Sequence, residues 1–298
     1  MKKLLKPALG LALLIGLLSS LDRGLLGQVL SGAHLGWFAL GCLLALAANL
    51  ICVTRWQRIA QTLHLPLQWP QALSLYAQAI TANSVLPGGI VGGDLWRVIG
   101  LARHASAGHK TTAAASVLAD RVSGLWGLAW VSLLASGVVW FSHQTGWLQS
   151  ELGVLYLAGL ISILVLPYAA SRLARVGRAR FLELSVATPM LQRTVWLSIA
   201  VQLLTSLAFW CCMQAVDLAV PFALIVALSG GIFIVGILPA AIGGFGAREL
   251  GALALITPFG YSKELVMASS ILFGLTVTVQ GLLGLYFWIR DHSRIAER

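Results

Sequence analysis

Residues 86–97 read LPGGIVGGDLWR and decide how this chain is expected to fold. They lie inside an apolar run, about 72–100, that would otherwise form one membrane-spanning helix. Proline removes a helical hydrogen bond, and glycine lets the backbone turn, so the run is predicted to break. A second stretch, LPAAIGGFGARE at 238–249, interrupts the apolar run of about 221–260 in the same way. Both runs are therefore predicted to be re-entrant broken-helix segments.

The two interrupting stretches are similar in sequence and lie about half the chain apart. Aligning Pro87 with Pro239 also pairs Leu86 with Leu238, Ile90 with Ile242 and Gly92 with Gly244. Three predicted spans separate the copies, so the second should enter from the opposite side of the membrane. This pattern predicts an inverted internal repeat with halves of roughly 1–141 and 152–298. The alternative is a chance match in a glycine-rich chain.

The composition excludes a water-soluble protein. Of the 298 residues 58% are hydrophobic and 10% are charged, and the mean hydropathy is +0.87. Soluble domains carry about a quarter charged residues. The chain is therefore predicted to be a single all-α polytopic membrane domain, 1–298, with about six spans besides the two broken segments. The spans are predicted near 6–21, 35–54, 111–141, 152–170, 194–216 and 265–289.

The formal net charge of +10 is explained by membrane topology, because the basic residues lie mainly between apolar runs. With a cytoplasmic N-terminus, all Lys and Arg except Arg23, Arg121, Arg248 and Lys263 fall on the cytoplasmic side. This asymmetry predicts cytoplasmic N- and C-termini and no nucleic-acid partner. The basic segment 171–193 is predicted either to bind anionic lipids or to be a solvated loop that sets topology.

The four cysteines, Cys42, Cys52, Cys211 and Cys212, all lie inside apolar runs. Their spacing does not match a metal site, and the six histidines form no recognisable constellation. Neither a disulfide nor a metal nor a cofactor is expected. Trp37 and Trp56, at the two ends of the second span, are predicted to be interface anchors.

Ionisable residues inside apolar runs are the strongest candidates for function, because charge is costly in a membrane. Asp120 and Arg121 lie within the third span, and adjacent helical residues point in different directions. One is predicted to pair with Arg97 or Asp94, and the other with Arg248 or Glu249. Either a substrate role or a structural ion pair would explain them.

Each broken segment should present a half-helix N-terminus, whose free N–H groups and dipole bind anions such as a lipid phosphate. Asp94 is placed where a helix N-cap belongs, and it is also one turn from Arg97, within reach of an ion pair. Asn83 could satisfy the broken backbone or contact substrate. The candidate substrate-binding and translocation residues are Asn83, Pro87, Gly92, Gly93, Asp94, Arg97, Asp120, Arg121, Pro239, Gly243, Gly244, Arg248 and Glu249.

The block NSVLPGGIVGGDLWR at 83–97, the pair Asp120-Arg121 and the block at 238–249 together resemble the lysylphosphatidylglycerol synthase transmembrane family. That family has an Asn…Pro…Gly-Asp…Arg block, an acidic-Arg pair and a Pro…Gly-Gly…Arg-Glu block in this order. The resemblance extends over nearly the whole chain and implies a lipid-translocating membrane domain. In the multiple peptide resistance proteins, an attached cytoplasmic domain makes the aminoacylated lipid. Because this chain ends at Arg298, we expect a stand-alone member without the synthase step.

The sequence thus predicts a flippase of the bacterial inner membrane that moves a phosphate-containing lipid, of the phospholipid or polyprenyl type, between leaflets. It is not expected to be an enzyme. Two alternatives remain: a membrane-embedded lipid-modifying enzyme that uses the same cavity, and a non-catalytic partner subunit of such an enzyme. An enzyme would change its lipid, a flippase would move it unchanged, and a partner subunit would do neither alone.

Overall fold

The computed structural model describes residues 23–85, 90–104, 110–141, 150–177, 188–236 and 246–296. Within these ranges the chain forms ten α-helices and one short 3-10 helix, without a β-strand, which confirms the predicted all-α class. The helices are α1 (Arg23–Ser31), α2 (Leu35–Thr62), α3 (Trp69–Val85), α4 (Ile90–His104), α5 (Lys110–Phe141), α6 (Glu151–Gly177), α7 (Thr188–Gln214), α8 (Phe222–Gly236), α9 (Ala247–Ile256) and α10 (Lys263–Ala296). The 3-10 helix, Thr257–Phe259, follows α9.

Four of these helices are long and apolar enough to cross a membrane. Their spanning parts are Leu35–Thr62, Lys110–Phe141, Gln192–Gln214 and Lys263–Asp291, in agreement with four of the six predicted spans. The predicted span 152–170 lies within α6, which is apolar over Gly153–Leu166. The predicted first span, 6–21, lies outside the described residues.

The first broken segment is a helical hairpin made of α3 and α4, called the first hairpin below. The Gly93 amide of α4 donates a 2.7 Å hydrogen bond to Asn83 Oδ1, near the end of α3. Earlier in α3, the Leu75 side chain packs on Gly100, further along α4. Later residues of α4 thus contact earlier residues of α3, so the two helices are antiparallel.

The second broken segment is also a helical hairpin, made of α8 and α9 and called the second hairpin below. The Arg248 side chain lies against Gly236, and Leu255 lies against Gly231, so these helices are antiparallel as well. In the described residues, therefore, each segment forms two short helices that fold back on one another, as predicted.

The order of long helix, hairpin and long helix occurs twice, as α2 to α5 and as α7 to α10. The opening helices, α2 and α7, pack antiparallel: Gly41 lies on Ala208, and Arg55 bonds to Ser198. The first hairpin packs on α10 and the second on α5, so each hairpin contacts the other unit. This arrangement is compatible with the predicted inverted repeat. The repeat stays a prediction, because the motif positions at 86–89 and 237–245 lie outside the described residues.

Two apolar clusters hold the helices together. The larger one lies where α7, α8, α9 and α10 meet, and Phe209, Ile225 and Met267 are buried in it. The smaller one lies between α2 and the first hairpin, around Trp56 and Leu101. Many leucines on the outer faces of the long helices are exposed, which is where apolar side chains of a membrane protein meet lipid.

The first hairpin lies close to α10 because a glycine stands at the crossing. A Cβ at Gly284 would overlap the carbonyl oxygen of Ala77 and the hydroxyl of Thr81. We therefore expect Gly284→Ala to destabilise the protein by about 1–3 kcal/mol through overpacking. Thermal unfolding in detergent should give a melting temperature several degrees lower.

Gly137→Ala is the matched control, since no described heavy atom lies within 4 Å of a Cβ built at Gly137. This substitution should leave the melting temperature unchanged or raise it, because alanine is the better helix former. An equal loss of stability in both variants would contradict the close approach of α3 and α10.

Candidate functional site

Asp120 lies at the centre of a buried charge cluster. Its Oδ1 accepts a 2.8 Å hydrogen bond from Arg55 Nε of α2, and its Oδ2 accepts one of 2.8 Å from Arg97 Nη2 of α4. Less than 5% of each of these three residues is exposed. Asp120 therefore joins α2, α4 and α5 through two charge-assisted hydrogen bonds in an apolar environment.

Arg97 is enclosed by aromatic rings. The carbon of its guanidinium lies 4.2 Å from the ring centroid of Trp56 and 4.7 Å from that of Tyr76, both within cation–π range. Trp56 is fully buried and donates its indole N–H to Ser116. Within the described residues, Arg97 Nε and Nη1 have no hydrogen-bond partner.

Arg121, the residue after Asp120, pairs with the other aspartate of the site, Asp94. Its Nε and Nη2 donate hydrogen bonds of 2.8 and 2.7 Å to the two oxygens of Asp94. Asp94 Oδ1 also lies 3.6 Å from Arg97 Nη1. The Asp94 and Arg121 side chains are 23% and 35% exposed, so this pair is the solvated part of the cluster. Arg55, Asp94, Arg97, Asp120 and Arg121 are called the first charge cluster below.

The second charge cluster consists of Arg248, Glu249 and Ser270. Arg248 Nη2 donates a 2.5 Å hydrogen bond to Glu249 Oε1, and Arg248 Nε donates one of 3.3 Å to the Ser270 hydroxyl. That hydroxyl lies 3.1 Å from Glu249 Oε1, and Glu249 Oε2 accepts the Gly246 amide at 2.5 Å. Glu249 thus caps α9 from within its first turn while it neutralises the adjacent arginine.

Both charge clusters border one cavity of about 500 Å³. Among the described residues its charged lining consists of four arginines and two aspartates: Arg55, Asp94, Arg97, Asp120, Arg121 and Arg248. Asn49 and Gln280, joined by a hydrogen bond, and Asn83 also line it, among many apolar side chains. The structure therefore brings ionisable motif residues of both hairpins, Asp94, Arg97 and Arg248, to one cavity whose described charged lining is mainly positive.

Three other candidate site residues, Asn83, Gly92 and Gly93, lie close to the break of the first hairpin. Asn83 lines the cavity and accepts the Gly93 amide, so it satisfies backbone at the break. A Cβ at Gly93 would overlap Asn83 Oδ1 and the Ala79 carbonyl oxygen, which explains the glycine. Gly92 lies in the first turn of α4. Pro87, Pro239, Gly243 and Gly244 lie outside the described residues, and their predicted roles stay predictions.

One predicted pairing is confirmed and one is wrong: Asp120 pairs with Arg97, but in the described residues neither Asp120 nor Arg121 pairs with Arg248 or Glu249. Asp120 and Arg121 both pair within the first charge cluster, whereas Arg248 and Glu249 pair with each other. The reason is that α4 and α5 pack together, so Asp120 and Arg121 both meet α4 or α2. Asp94 is not an N-cap, because α4 begins at Ile90. The predicted approach of Asp94 to Arg97 is confirmed at 3.6 Å.

Sequence reasoning missed Arg55 as a site residue and assigned Trp56 to the membrane interface. Both are buried, because α2 continues to Thr62 instead of ending near residue 54. The signal was the absence of a helix breaker between Gly41 and Pro66, which allows two further turns. Tyr76 and Ser198 were also missed, since ordinary apolar and small polar residues give no sequence signal of this kind.

The helices and the shared cavity define a multi-pass membrane protein with a polar interior site. The model of the lysylphosphatidylglycerol synthase TM region matches residues 4–284 of the chain. The protein therefore belongs to this family of flippase-type membrane domains, as the sequence motifs predicted. No curated protein matches the chain.

Asp120 should be essential for stability, because its removal leaves two buried arginines without their shared carboxylate. Breaking a buried pair in this way costs about 3–5 kcal/mol. We expect Asp120→Asn to lower the melting temperature in detergent markedly. The matched control is Asp217→Asn. The Asp217 side chain is 82% exposed, and asparagine tolerates the left-handed backbone conformation of this position. Equal melting temperatures for the two variants would contradict a structural role of Asp120.

Proposed function

We propose that this protein moves a phosphate-containing lipid between the leaflets of the bacterial inner membrane, leaving the lipid chemically unchanged. The observation that carries the proposal is that arginines of both hairpins, Arg97 and Arg248, line the same cavity. Guanidinium groups bind phosphate oxygens through paired hydrogen bonds. Membership of a flippase-type family fits this function.

The size of the cavity supports entry of a headgroup. A volume of about 500 Å³ falls in the range of about 300–1,000 Å³ typical of small-molecule sites. We infer that the headgroup enters the cavity while the acyl or prenyl tails stay in the surrounding bilayer. The exposed leucines of the long helices, such as Leu134 and Leu282, provide an apolar surface for those tails.

The two hairpins suggest how access would alternate. The first hairpin carries Asp94 and Arg97, and the second carries Arg248 and Glu249. If the hairpins open toward opposite sides, as the predicted inverted repeat requires, each would expose the cavity to one leaflet in turn. The carboxylates would balance the arginines when the headgroup is absent.

The distribution of Lys and Arg supports cytoplasmic termini at both ends. Arg55 and Arg97 no longer count in that argument, because both are buried in the first charge cluster. We also propose that the basic segment 171–193 contacts anionic lipid on the cytoplasmic side. Residues 178–187 of that segment lie outside the described residues.

Transport can be tested in liposomes that contain the protein and a phospholipid labelled on its headgroup. Loss of fluorescence on adding dithionite measures how fast inner-leaflet lipid reaches the outside. We expect Arg97→Gln with Arg248→Gln to slow this exchange at least tenfold, because the phosphate loses its cationic partners. Arg58→Gln, an exposed position one turn from Arg55, is the matched control and should keep the normal rate.

Melting temperatures of the same variants separate a loss of transport from a loss of folding. A folded double variant that moves lipid at the normal rate would refute the cavity as the transport site.

The distinction from an enzyme rests on the chemistry of the recovered lipid. Mass spectrometry of lipids incubated with the protein should give unchanged masses together with measurable transport. A new lipid species would identify the chain as a lipid-modifying enzyme. Unchanged lipids without transport would favour a partner subunit that acts only with another protein.

A further inference from the structure

The Asp94 carboxylate is bound as an oxyanion ligand would be. Arg121 holds both of its oxygens, at 2.8 and 2.7 Å, and Arg97 Nη1 approaches one of them at 3.6 Å. A phosphate group presents its oxygens to a guanidinium with the same forked geometry. Asp94 thus occupies the place that suits a lipid phosphate inside the proposed transport site.

Arg97 supplies an independent sign that an acceptor is missing. Its side chain is 1% exposed and borders the cavity, yet Nε and Nη1 have no hydrogen-bond partner within the described residues. Buried donors without a partner are costly and call for an explanation. The Asp94 carboxylate, at 3.6 Å, is too distant to satisfy Nη1. An oxyanion that approached Arg97 more closely than Asp94 does would accept a hydrogen bond from Nη1.

The balance of charge favours an added anion. The first charge cluster contains three arginines and two aspartates, so it carries one uncompensated positive charge. The second charge cluster pairs one arginine with one glutamate and carries none. An anionic ligand is therefore attracted to the first charge cluster rather than to the second.

The two aspartates of the first charge cluster differ in how firmly they are held. Asp120 is 2% exposed and bonded to a different arginine through each oxygen. Asp94 is 23% exposed, and its partner Arg121 is 35% exposed, so both can be solvated when they separate. An ion pair that water reaches costs less to open than a fully buried one, whose separation costs several kcal/mol. Asp94 is thus the carboxylate that a ligand can displace.

We propose that Asp94 is a built-in competitor of the transported headgroup: a phosphate oxyanion binds Arg121 and Arg97 by displacing the Asp94 carboxylate. This inference rests on the proposed function and specifies how its site works. The bound phosphate accepts the forked hydrogen bonds of Arg121 and the free N–H groups of Arg97. When the headgroup leaves, Asp94 returns to Arg121, which promotes release.

The competitor model predicts that removing the Asp94 carboxylate strengthens binding of the lipid phosphate. Isothermal titration of the detergent-solubilised protein with short-chain phosphatidylglycerol measures the dissociation constant directly. We expect Asp94→Asn to lower that constant about tenfold, while Arg121→Gln raises it at least tenfold. Asp94→Ser, measured in parallel, also removes the carboxylate and keeps the test available if the asparagine variant does not fold. Asp217→Asn is the matched control and should not change it.

A purely structural role for Asp94 predicts no gain in lipid affinity when its carboxylate is removed. Asp94→Asn and Asp94→Ser would then bind the lipid no more tightly than the unchanged protein, and this result would overturn the competitor model. Weaker binding by Arg121→Gln in the same experiment would leave the proposed function standing. If the unchanged protein binds neither phosphatidylglycerol nor inorganic phosphate, the phosphate site itself is refuted.

Inorganic phosphate is the second probe and identifies the source of the oxyanion. If the Asp94 variants gain affinity for phosphatidylglycerol only, the site is assigned to a lipid headgroup. An equal gain for inorganic phosphate assigns it to free phosphate, and either result supports displacement of Asp94.

Discussion

The buried carboxylate of Asp120 is the interaction on which the arrangement of the cavity depends. It holds Arg55 of α2 and Arg97 of α4 at 2.8 Å each, and all three residues are almost completely buried. In a low-dielectric interior an unpaired ion costs several kcal/mol, so these groups must stay together. The requirement locks the first hairpin against α2 and α5 and places Arg97 between Trp56 and Tyr76.

In each hairpin a side chain accepts a backbone N–H group close to the break. A broken helix must find partners for its free N–H and C=O groups. In the first hairpin Asn83 accepts the Gly93 amide, and in the second Glu249 accepts the Gly246 amide. The same short segments carry Arg97 and Arg248 to the shared cavity. The same short segments therefore satisfy local backbone groups and place the cations.

The two charge clusters differ in net charge and in exposure to solvent. The second is neutral and its three members bond to one another, whereas the first carries an excess positive charge and a partly solvated ion pair. A site for an anion needs both an attractive charge and a contact that can open. Within the described residues, the pair of Asp94 and Arg121 combines the two properties, which is why the functional hypotheses concentrate there.

The sequence by itself determined the all-α membrane class, the two broken segments, the family and most charged residues of the site. These follow from composition, from proline and glycine inside apolar runs, and from charges that a membrane does not tolerate without partners. The tertiary structure decided the pairing, since partners distant in sequence are chosen by helix packing. It buried Arg55, which a hydropathy boundary had placed at the surface, because a helix ends where its hydrogen bonds and packing end rather than where apolar residues do.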